Sequence, residues 1–135
     1  INVAFGGTLH PEVRDLPGKM NHRMPKDCKD IELIFKKRHK VSLTKGGYLE
    51  RLLGTDEIVT NSLHGQACID LGEGIVLEGL AEDGTVEAVS MPSAPGFVLG
   101  VQWHAEFEPT TDEVSAKVFG AFGEAARTWR MKKAA

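Results

Sequence analysis

The sequence predicts an α/β fold in which a mixed sheet is covered by a C-terminal helix. Three observations lead to this prediction: stretches that alternate apolar and polar residues, one nearly continuous apolar stretch, and a final segment with apolar residues at helical spacing. The 135 residues include 41% apolar and 26% charged residues, the usage of an ordinary globular domain. A chain of this length buries a sizeable core.

The first third of the chain is predicted to contain the end of a helix, a long loop and a strand. A pair of glycines closes the opening apolar stretch INVAF, as glycines end helices. Prolines interrupt any periodicity in residues 10–30, which we interpret as a surface loop rather than a domain boundary. Residues 39–44 alternate apolar with polar side chains and predict a half-buried strand.

The middle of the chain predicts a short helix, a strand and a hairpin. Apolar residues at helical spacing in residues 48–53 stop at Gly54, and residues 57–61 are rich in β-branched side chains. Two strand-like stretches, 74–81 and 85–91, flank an Asp-Gly turn signal, so we expect them to pair antiparallel.

The last third predicts a strand and a long helix. Residues 97–103 (FVLGVQW) are almost entirely apolar, which favours burial on both faces in the middle of a sheet. A helix is predicted over 111–131, with Thr110 and Glu113 at capping-box spacing. Its apolar stripe is expected in the core: Val114, Val118, Phe122, Ala125 and Trp129.

Charge and composition exclude several classes of function. Sixteen basic and nineteen acidic residues give a net charge of −3, which offers no electrostatic basis for nucleic-acid binding. No apolar run reaches the roughly 18 residues of a membrane span, and no secretory leader is visible. Two cysteines do not make a disulfide framework, so we expect a cytoplasmic protein.

Two polar clusters follow predicted strands. His104 and Glu106 come just after the most apolar strand, and residues two apart in an extended chain point the same way. The carboxylate can then orient the imidazole, which gives the base and orienting partner of a nucleophilic triad. The alternative is a surface turn with two solvated side chains.

The second polar cluster is residues 61–66 (NSLHGQ), which can hold a small polar ligand. The alternative is a turn in which Asn61 or Ser62 caps the next element.

Neither cysteine is predicted to be a nucleophile. Cys28 has lysine neighbours but no strand–turn–helix elbow around it, and Cys68 stands in the apolar context of a buried thiol. His10, His22 and His39 lack zinc-site spacing to the cysteines, and no phosphate-binding loop is present. We therefore predict no metal site and no cofactor.

Residues 101–106 (VQWHAE) resemble the G-V-Q-[FW]-H-P-E segment of class I glutamine amidotransferases. The cluster at 61–66 and the hairpin with Asp83-Gly84 and Glu87-Ala88 resemble the γ-glutamyl-γ-aminobutyrate hydrolase branch, also classed as peptidase C26. Residues 2–10 are similar to the stretch that follows this family's nucleophile elbow. The resemblance implies a flavodoxin-like α/β sandwich, with residues 1–135 as the C-terminal part of a single domain and the nucleophilic cysteine upstream.

Site roles follow from the resemblance alone. His104 would be the general base and Glu106 its orienting partner, with Ala105 where many relatives have proline. The segment expected to bind the γ-glutamyl group comprises Asn61, Ser62, Leu63 and His64, with Gln66 close by.

The implied activity is hydrolysis of γ-glutamyl amides, as in putrescine degradation, through a Cys-His-Glu triad without cofactor or metal. The implied partners are a small γ-glutamyl substrate and the N-terminal portion of the same domain, not nucleic acid or membrane, and a homodimer stays open. The alternatives are a glutaminase domain of an amidotransferase and a non-catalytic binding domain.

Overall fold

The computed structural model describes residues 1–134, which form two small sheets and three α-helices. The strands are β1 (Leu9–His10), β2 (His39–Leu43), β3 (Glu57–Thr60), β4 (Ala67–Cys68), β5 (Val76–Ala81), β6 (Val86–Ser90) and β7 (Leu99–Val101). The helices are α1 (Ile31–Ile34), α2 (Tyr48–Leu53) and α3 (Glu113–Ala134), with 3-10 turns at Asn2–Phe5 and Val13–Asp15. The predicted α/β class with a terminal helix is confirmed.

The larger sheet has the strand order β3-β2-β5-β6-β7, and every pairing in it is antiparallel. The prediction of a mixed sheet was therefore wrong for the described residues, because each strand runs opposite to its neighbour. The predicted hairpin is present, because β5 and β6 pair across the turn at Asp83 and Gly84. Gly84 has a φ of 75°, a left-handed conformation that glycine adopts without strain. This turn fixes where the buried polar residues of β6 lie relative to β5.

The strand predicted over residues 97–103 was expected in the middle of the sheet, buried on both faces, and this was wrong for the described residues. Only Leu99–Val101 is a strand, and it lies at the sheet edge beside β6. Its three residues are all half-buried. An apolar sequence does not by itself distinguish a central strand, which is buried on both faces, from a half-buried strand at the sheet edge.

Helix α3 begins and packs differently from the prediction. Asp112, not Thr110, caps it, because the Asp112 carboxylate accepts hydrogen bonds from the backbone N–H and hydroxyl of Ser115. Val114 and Val118 pack against the core, but Phe122 and Trp129 are 57% and 53% exposed. None of the helices within residues 1–134 is both long and apolar enough to cross a lipid bilayer.

The core lies between the larger sheet and helices α2 and α3. Its buried members come from five segments: Val41, Leu43, Leu49, Leu53, Ile58, Ala88, Trp103 and Ala105. A buried carboxylate stabilises the start of α2, since Glu78 accepts hydrogen bonds from the Leu49 N–H and the Ser90 hydroxyl. Trp103 and Ala105 belong to this core, which anchors the chain on both sides of His104.

Candidate active site

The chain after β7 alternates buried and exposed side chains, and this alternation presents His104 to solvent. Trp103 and Ala105 are buried in the core, whereas the side chains of His104 and Glu106 are 41% and 65% exposed. Residues 102–106 form bends and a turn instead of the extended chain that the sequence analysis assumed, so the alternation comes from the local turn and from the packing of Trp103 and Ala105. The two buried neighbours therefore fix the main chain while leaving the imidazole and the carboxylate accessible.

His104 and Glu106 form a direct hydrogen bond. The Nδ1 atom of His104 lies 2.5 Å from Oε1 of Glu106. This hydrogen bond from His104 lowers the pKa of Glu106 below its ordinary value, so the carboxylate stays ionised at neutral pH. An ionised carboxylate only accepts, so in the neutral ring Nδ1 carries the hydrogen and Nε2 keeps the lone pair. Nε2 is then the atom that can take a proton.

Asn61 holds the main chain of His104 from both sides. Its Oδ1 accepts a hydrogen bond of 2.9 Å from the His104 N–H, and its Nδ2 donates to the His104 carbonyl at 3.0 Å. Asn61 is buried, at the end of β3. The amide therefore fixes the main chain of His104, and this contact was not predicted, since Asn61 was expected to bind substrate.

Aromatic rings pack beside the imidazole. The Phe35 ring meets the His104 ring edge-on at 5.6 Å between centroids and stacks on Phe107 at 4.4 Å. A cavity of about 370 Å³ opens at this point and is lined by His104, Asn61, Phe35 and Phe107 among others. Its volume lies in the range of small-molecule sites. Phe35 lies just after α1, in a part of the chain where no motif predicted a site.

Residues 61–66 divide between two places. Asn61 contacts His104, whereas Ser62 and His64 point into the interior: the Ser62 hydroxyl donates to the His22 carbonyl, and His64 Nε2 lies 3.4 Å from the buried carboxylate of Glu87. The side chain of Leu63 is half-buried and that of Gln66 is exposed. The assignment of these residues to substrate binding stays a prediction.

The interior contains a second polar cluster that the sequence did not reveal. It is built around Glu87 of β6, whose side chain is fully buried, and includes His22, His39, His64 and Asp83. Burial alone would raise the pKa of Asp83, but hydrogen bonds from Met20 N–H, His22 and Thr85 lower it well below its ordinary value. These residues come from four separate segments, so no spacing pattern marks them.

The cysteines have surroundings unlike those of a nucleophile. Cys68, in β4, is half-buried, and burial raises the pKa of its thiol, which opposes formation of the thiolate. Cys28 is also half-buried, in the loop before α1, where its Sγ lies 3.7 Å from the Asp30 carbonyl. The absence of a catalytic role for either cysteine stays a prediction.

Comparison with known proteins places this geometry in a family. The profile of Peptidase C26 matches residues 1–106, which include both members of the His104–Glu106 pair. The chain belongs to the peptidase C26 family. This confirms the resemblance drawn from residues 61–66 and 101–106 to class I glutamine amidotransferase-like proteins.

Relatives of this peptidase C26 chain carry two kinds of name. It is 36% identical over 121 residues to gamma-glutamyl-gamma-aminobutyrate hydrolase PuuD of Escherichia coli, covering 89% of this chain and 47% of that protein. It is 33% identical over 133 residues to a putative glutamine amidotransferase of Schizosaccharomyces pombe, covering 98% of this chain and 49% of that protein. The chain spans about half the length of the curated relatives it matches.

A solved structure confirms the fold of the peptidase C26 chain. The crystal structure of a putative GMP synthase subunit from Thermoplasma acidophilum matches with a TM-score of 0.61 at 19% identity. The match covers 98% of this chain and 55% of that chain. The described residues therefore have the fold of a class I glutamine amidotransferase-like domain.

Proposed function

We propose that this chain supplies the general base and its orienting carboxylate to a cysteine-dependent hydrolase of γ-glutamyl amides. The observation that carries the proposal is the 2.5 Å contact between His104 Nδ1 and Glu106, with the imidazole half-exposed at a cavity. The thiol would come from the N-terminal portion of the domain, because the relatives are about twice as long as this chain. Residues 1–135 are then the C-terminal part of one catalytic domain.

The proposed reaction proceeds by acyl transfer. His104 Nε2 takes the thiol proton, and the thiolate attacks the γ-carbonyl carbon of the substrate. The carbon–nitrogen bond breaks as the imidazolium returns that proton to the leaving amine, which forms a γ-glutamyl thioester. His104 then takes a proton from water, whose oxygen attacks the thioester carbon. Carbon–sulfur cleavage and return of the proton release glutamate and the free thiol.

Glu106 supports both steps without receiving the proton itself. Its ionised carboxylate holds the ring through Nδ1 and stabilises the imidazolium that forms when Nε2 is protonated. Asn61 fixes the main chain of His104 through two hydrogen bonds. Ala105, where proline would stiffen the chain, is buried in the core.

The substrate class in this proposal is a γ-glutamyl amide of a small amine, such as γ-glutamyl-γ-aminobutyrate, which would place the enzyme in putrescine degradation. Four of the relatives bear the name γ-glutamyl-γ-aminobutyrate hydrolase, which supports this choice. The glutamyl part is recognised closely, since its charged α-amino and α-carboxyl groups need fixed partners, and the amine part loosely. Residues 61–66 remain the proposed contact for the glutamyl part.

Two alternatives from the sequence analysis differ from this proposal. Relatives named putative glutamine amidotransferases favour a glutaminase domain that passes ammonia to a partner enzyme. A non-catalytic binding domain of the same fold would keep the cavity but lack the thiol. The alternatives differ from the main proposal in the substrate that is turned over and in the need for a partner.

The test compares substrates on the complete protein. Release of glutamate from γ-glutamyl-γ-aminobutyrate, γ-glutamyl-putrescine and glutamine is measured for the protein, for His104→Gln and for the control His10→Gln. We expect turnover of the γ-glutamyl amines, its loss in His104→Gln and its retention in His10→Gln. Residues 1–135 alone are expected to be inactive.

Two results would contradict the proposal. Preference for glutamine that depends on a partner protein supports the amidotransferase alternative. Absence of turnover, together with absence of a γ-glutamyl adduct in mass spectra of acid-quenched protein, supports the binding domain.

A further inference from the structure

The cavity beside His104 has an aromatic wall, formed by Phe35 and Phe107. The two phenylalanine rings stack with centroids 4.4 Å apart and planes 9° apart, and Phe35 meets the His104 ring at 5.6 Å with the planes 86° apart. Both phenylalanines are half-buried, so each keeps apolar surface in contact with solvent. The proposed reaction uses neither ring, and this surface next to the base is unexplained by it.

Local contacts hold the aromatic wall in place on both sides of Phe35. Asp30 caps helix α1, and the Phe35 N–H donates to the Ile31 carbonyl at 3.0 Å. Two residues beyond Phe35, Lys37 forms an ion pair of 2.5 Å with Asp112, just before α3. A wall that is already ordered loses little conformational entropy when a ligand packs against it, which favours binding.

The cavity opens on the side of the imidazole that faces away from Glu106. His104 lines it together with both phenylalanines, whereas Glu106 lines a different cavity, beside Phe119 of α3. Because Nδ1 of His104 contacts Glu106, Nε2 is the ring nitrogen on the opposite side. The proposed reaction needs the leaving nitrogen within hydrogen-bond reach of Nε2, which returns a proton to it. The leaving amine therefore lies at the aromatic wall.

Apolar surface, not charge, is what distinguishes one amine from another in this cavity. Its charged side chains have no single sign: Lys37 and Asp112 are paired with each other, and the exposed ones are Glu32, Lys36 and Glu108. Exposed charges interact weakly because water screens them. The aromatic wall, by contrast, offers continuous apolar surface to any methylene chain attached to the leaving nitrogen.

We propose that Phe35 and Phe107 determine which amines the enzyme releases, by packing against the alkyl chain on the leaving nitrogen. This role rests on the proposed function and narrows its substrate class to γ-glutamyl amides of amines with an unbranched alkyl chain. Apolar contact has no preferred direction, so the wall distinguishes amines by chain length. Full burial of one methylene corresponds to about a fourfold change in an equilibrium constant, and a half-buried wall gives about two- to threefold.

Chain length is the variable of the test. On the complete protein, kcat/KM is measured for glutamine, whose leaving group is ammonia, and for the γ-glutamyl methyl-, ethyl-, propyl- and butylamides. Uncharged chains are used so that the charged side chains around the cavity do not contribute. We expect kcat/KM to rise by about two- to threefold with each methylene.

Variants assign the effect to the wall. In Phe35→Ala, the ratio of kcat/KM for the butylamide to that for glutamine should fall by about fivefold or more. Taking the ratio removes any change in His104, since both substrates use the same base, and a merely structural role of Phe35 would leave the ratio unchanged. Phe122→Ala, at a phenylalanine that is 57% exposed and outside the cavity, should keep the ratio. If Phe35→Ala does not fold, Phe107→Ala provides the same test.

The outcomes separate this role from the proposed function. Equal kcat/KM for all four alkylamides, or an unchanged ratio in Phe35→Ala, would overturn the role of the wall and leave the hydrolase in place. An equal loss for glutamine and the butylamide would indicate that the wall contacts the glutamyl part, which also contradicts the proposal. Absence of turnover for every γ-glutamyl amide would overturn both.

Discussion

Histidine contacts glutamate in two regions of the described chain, and the surroundings of the two regions are opposite. The pair His104–Glu106 is two residues apart in sequence and 41% and 65% exposed, whereas Glu87 is fully buried among histidines from three other segments. Exposure lets a ring exchange protons with a ligand, and burial makes every unpaired charge costly. The comparison teaches that the exposed pair has the access that the proposed reaction needs, whereas the buried contacts around Glu87 are tied to the stability of the fold.

One short segment connects the two regions. Asn61 contacts the main chain of His104, while Ser62 and His64 turn toward the buried cluster. Because both regions depend on the same loop, a change in one can alter the other. The predictions below separate the two regions by measuring whether a variant lowers kcat or the free energy of unfolding.

The largest expected effect is on rate, at Glu106. Glu106→Gln removes the negative charge that orients His104 and stabilises its cation, so kcat should fall about 10²- to 10⁴-fold by analogy with triad carboxylates. The exposed position predicts little change in Tm. Steady-state kinetics on the complete protein and a thermal melt measure the two quantities.

Glu108→Gln is the matched control for that prediction. Glu108 is exposed and has a φ of 52°, a left-handed conformation that is sensitive to the side chain. Glutamine has the same shape as glutamate, so the variant changes only the charge. Its kcat should stay within about twofold of the unchanged protein. Equal losses at Glu106 and Glu108 would refute the assignment of the orienting carboxylate.

The second effect is on stability, at Glu87. Glu87→Gln leaves the surrounding histidines without their carboxylate, and breaking a buried charged contact costs about 3–5 kcal/mol. Denaturant unfolding of the complete protein measures the loss, with the exposed Glu73→Gln as control. The structural role of Glu87 is contradicted if Glu87→Gln leaves the free energy of unfolding unchanged. It is also contradicted if Glu73→Gln lowers the free energy of unfolding by the same amount.

The difference between the two regions also explains what the sequence could predict. The contact between His104 and Glu106 was expected from their spacing after an apolar strand, and local signals also placed β2, α2 and the β5–β6 hairpin. The catalytic roles of the two residues come from the family resemblance and stay predictions. The cluster around Glu87 was missed because its members meet only through the tertiary fold. Phe122 and Trp129 were wrongly placed in the core. An apolar stripe along a helix does not reveal how far along the helix the sheet beneath it extends.

The third effect is smaller and concerns the connecting segment. Asn61→Ala removes both hydrogen bonds to the main chain of His104, and a shift of the base by about 1 Å costs up to about 100-fold in rate. As a positioning residue, Asn61 should change kcat by about 10- to 100-fold with little change in KM. Asn21→Ala, at an exposed asparagine, provides the control. A change in KM alone would instead support the predicted role of Asn61 in substrate binding.

The smallest effect tests how α3 begins. Burial alone would raise the pKa of Asp112, but the ion pair with Lys37 and the hydrogen bonds from Ser115 lower it below its ordinary value. A carboxylate with a lowered pKa in the folded state stabilises the protein above its unfolded pKa of about 4, and this contribution is lost as pH falls through the lowered value.

Asp112→Ala should therefore lower the free energy of unfolding by about 1–2 kcal/mol at pH 7, because both the helix cap and the ion pair are lost. Asp112→Asn keeps an acceptor for Ser115 and should cost less. Thermal or denaturant unfolding between pH 7 and pH 2 should show the gap between Asp112→Asn and the unchanged protein closing below about pH 4. Thr110→Ala, at the cap that the sequence predicted, should change nothing. If Thr110→Ala lowers the free energy of unfolding as much as Asp112→Ala does, the predicted capping box starts α3. The ion pair between Asp112 and Lys37 is then a surface contact that adds little stability.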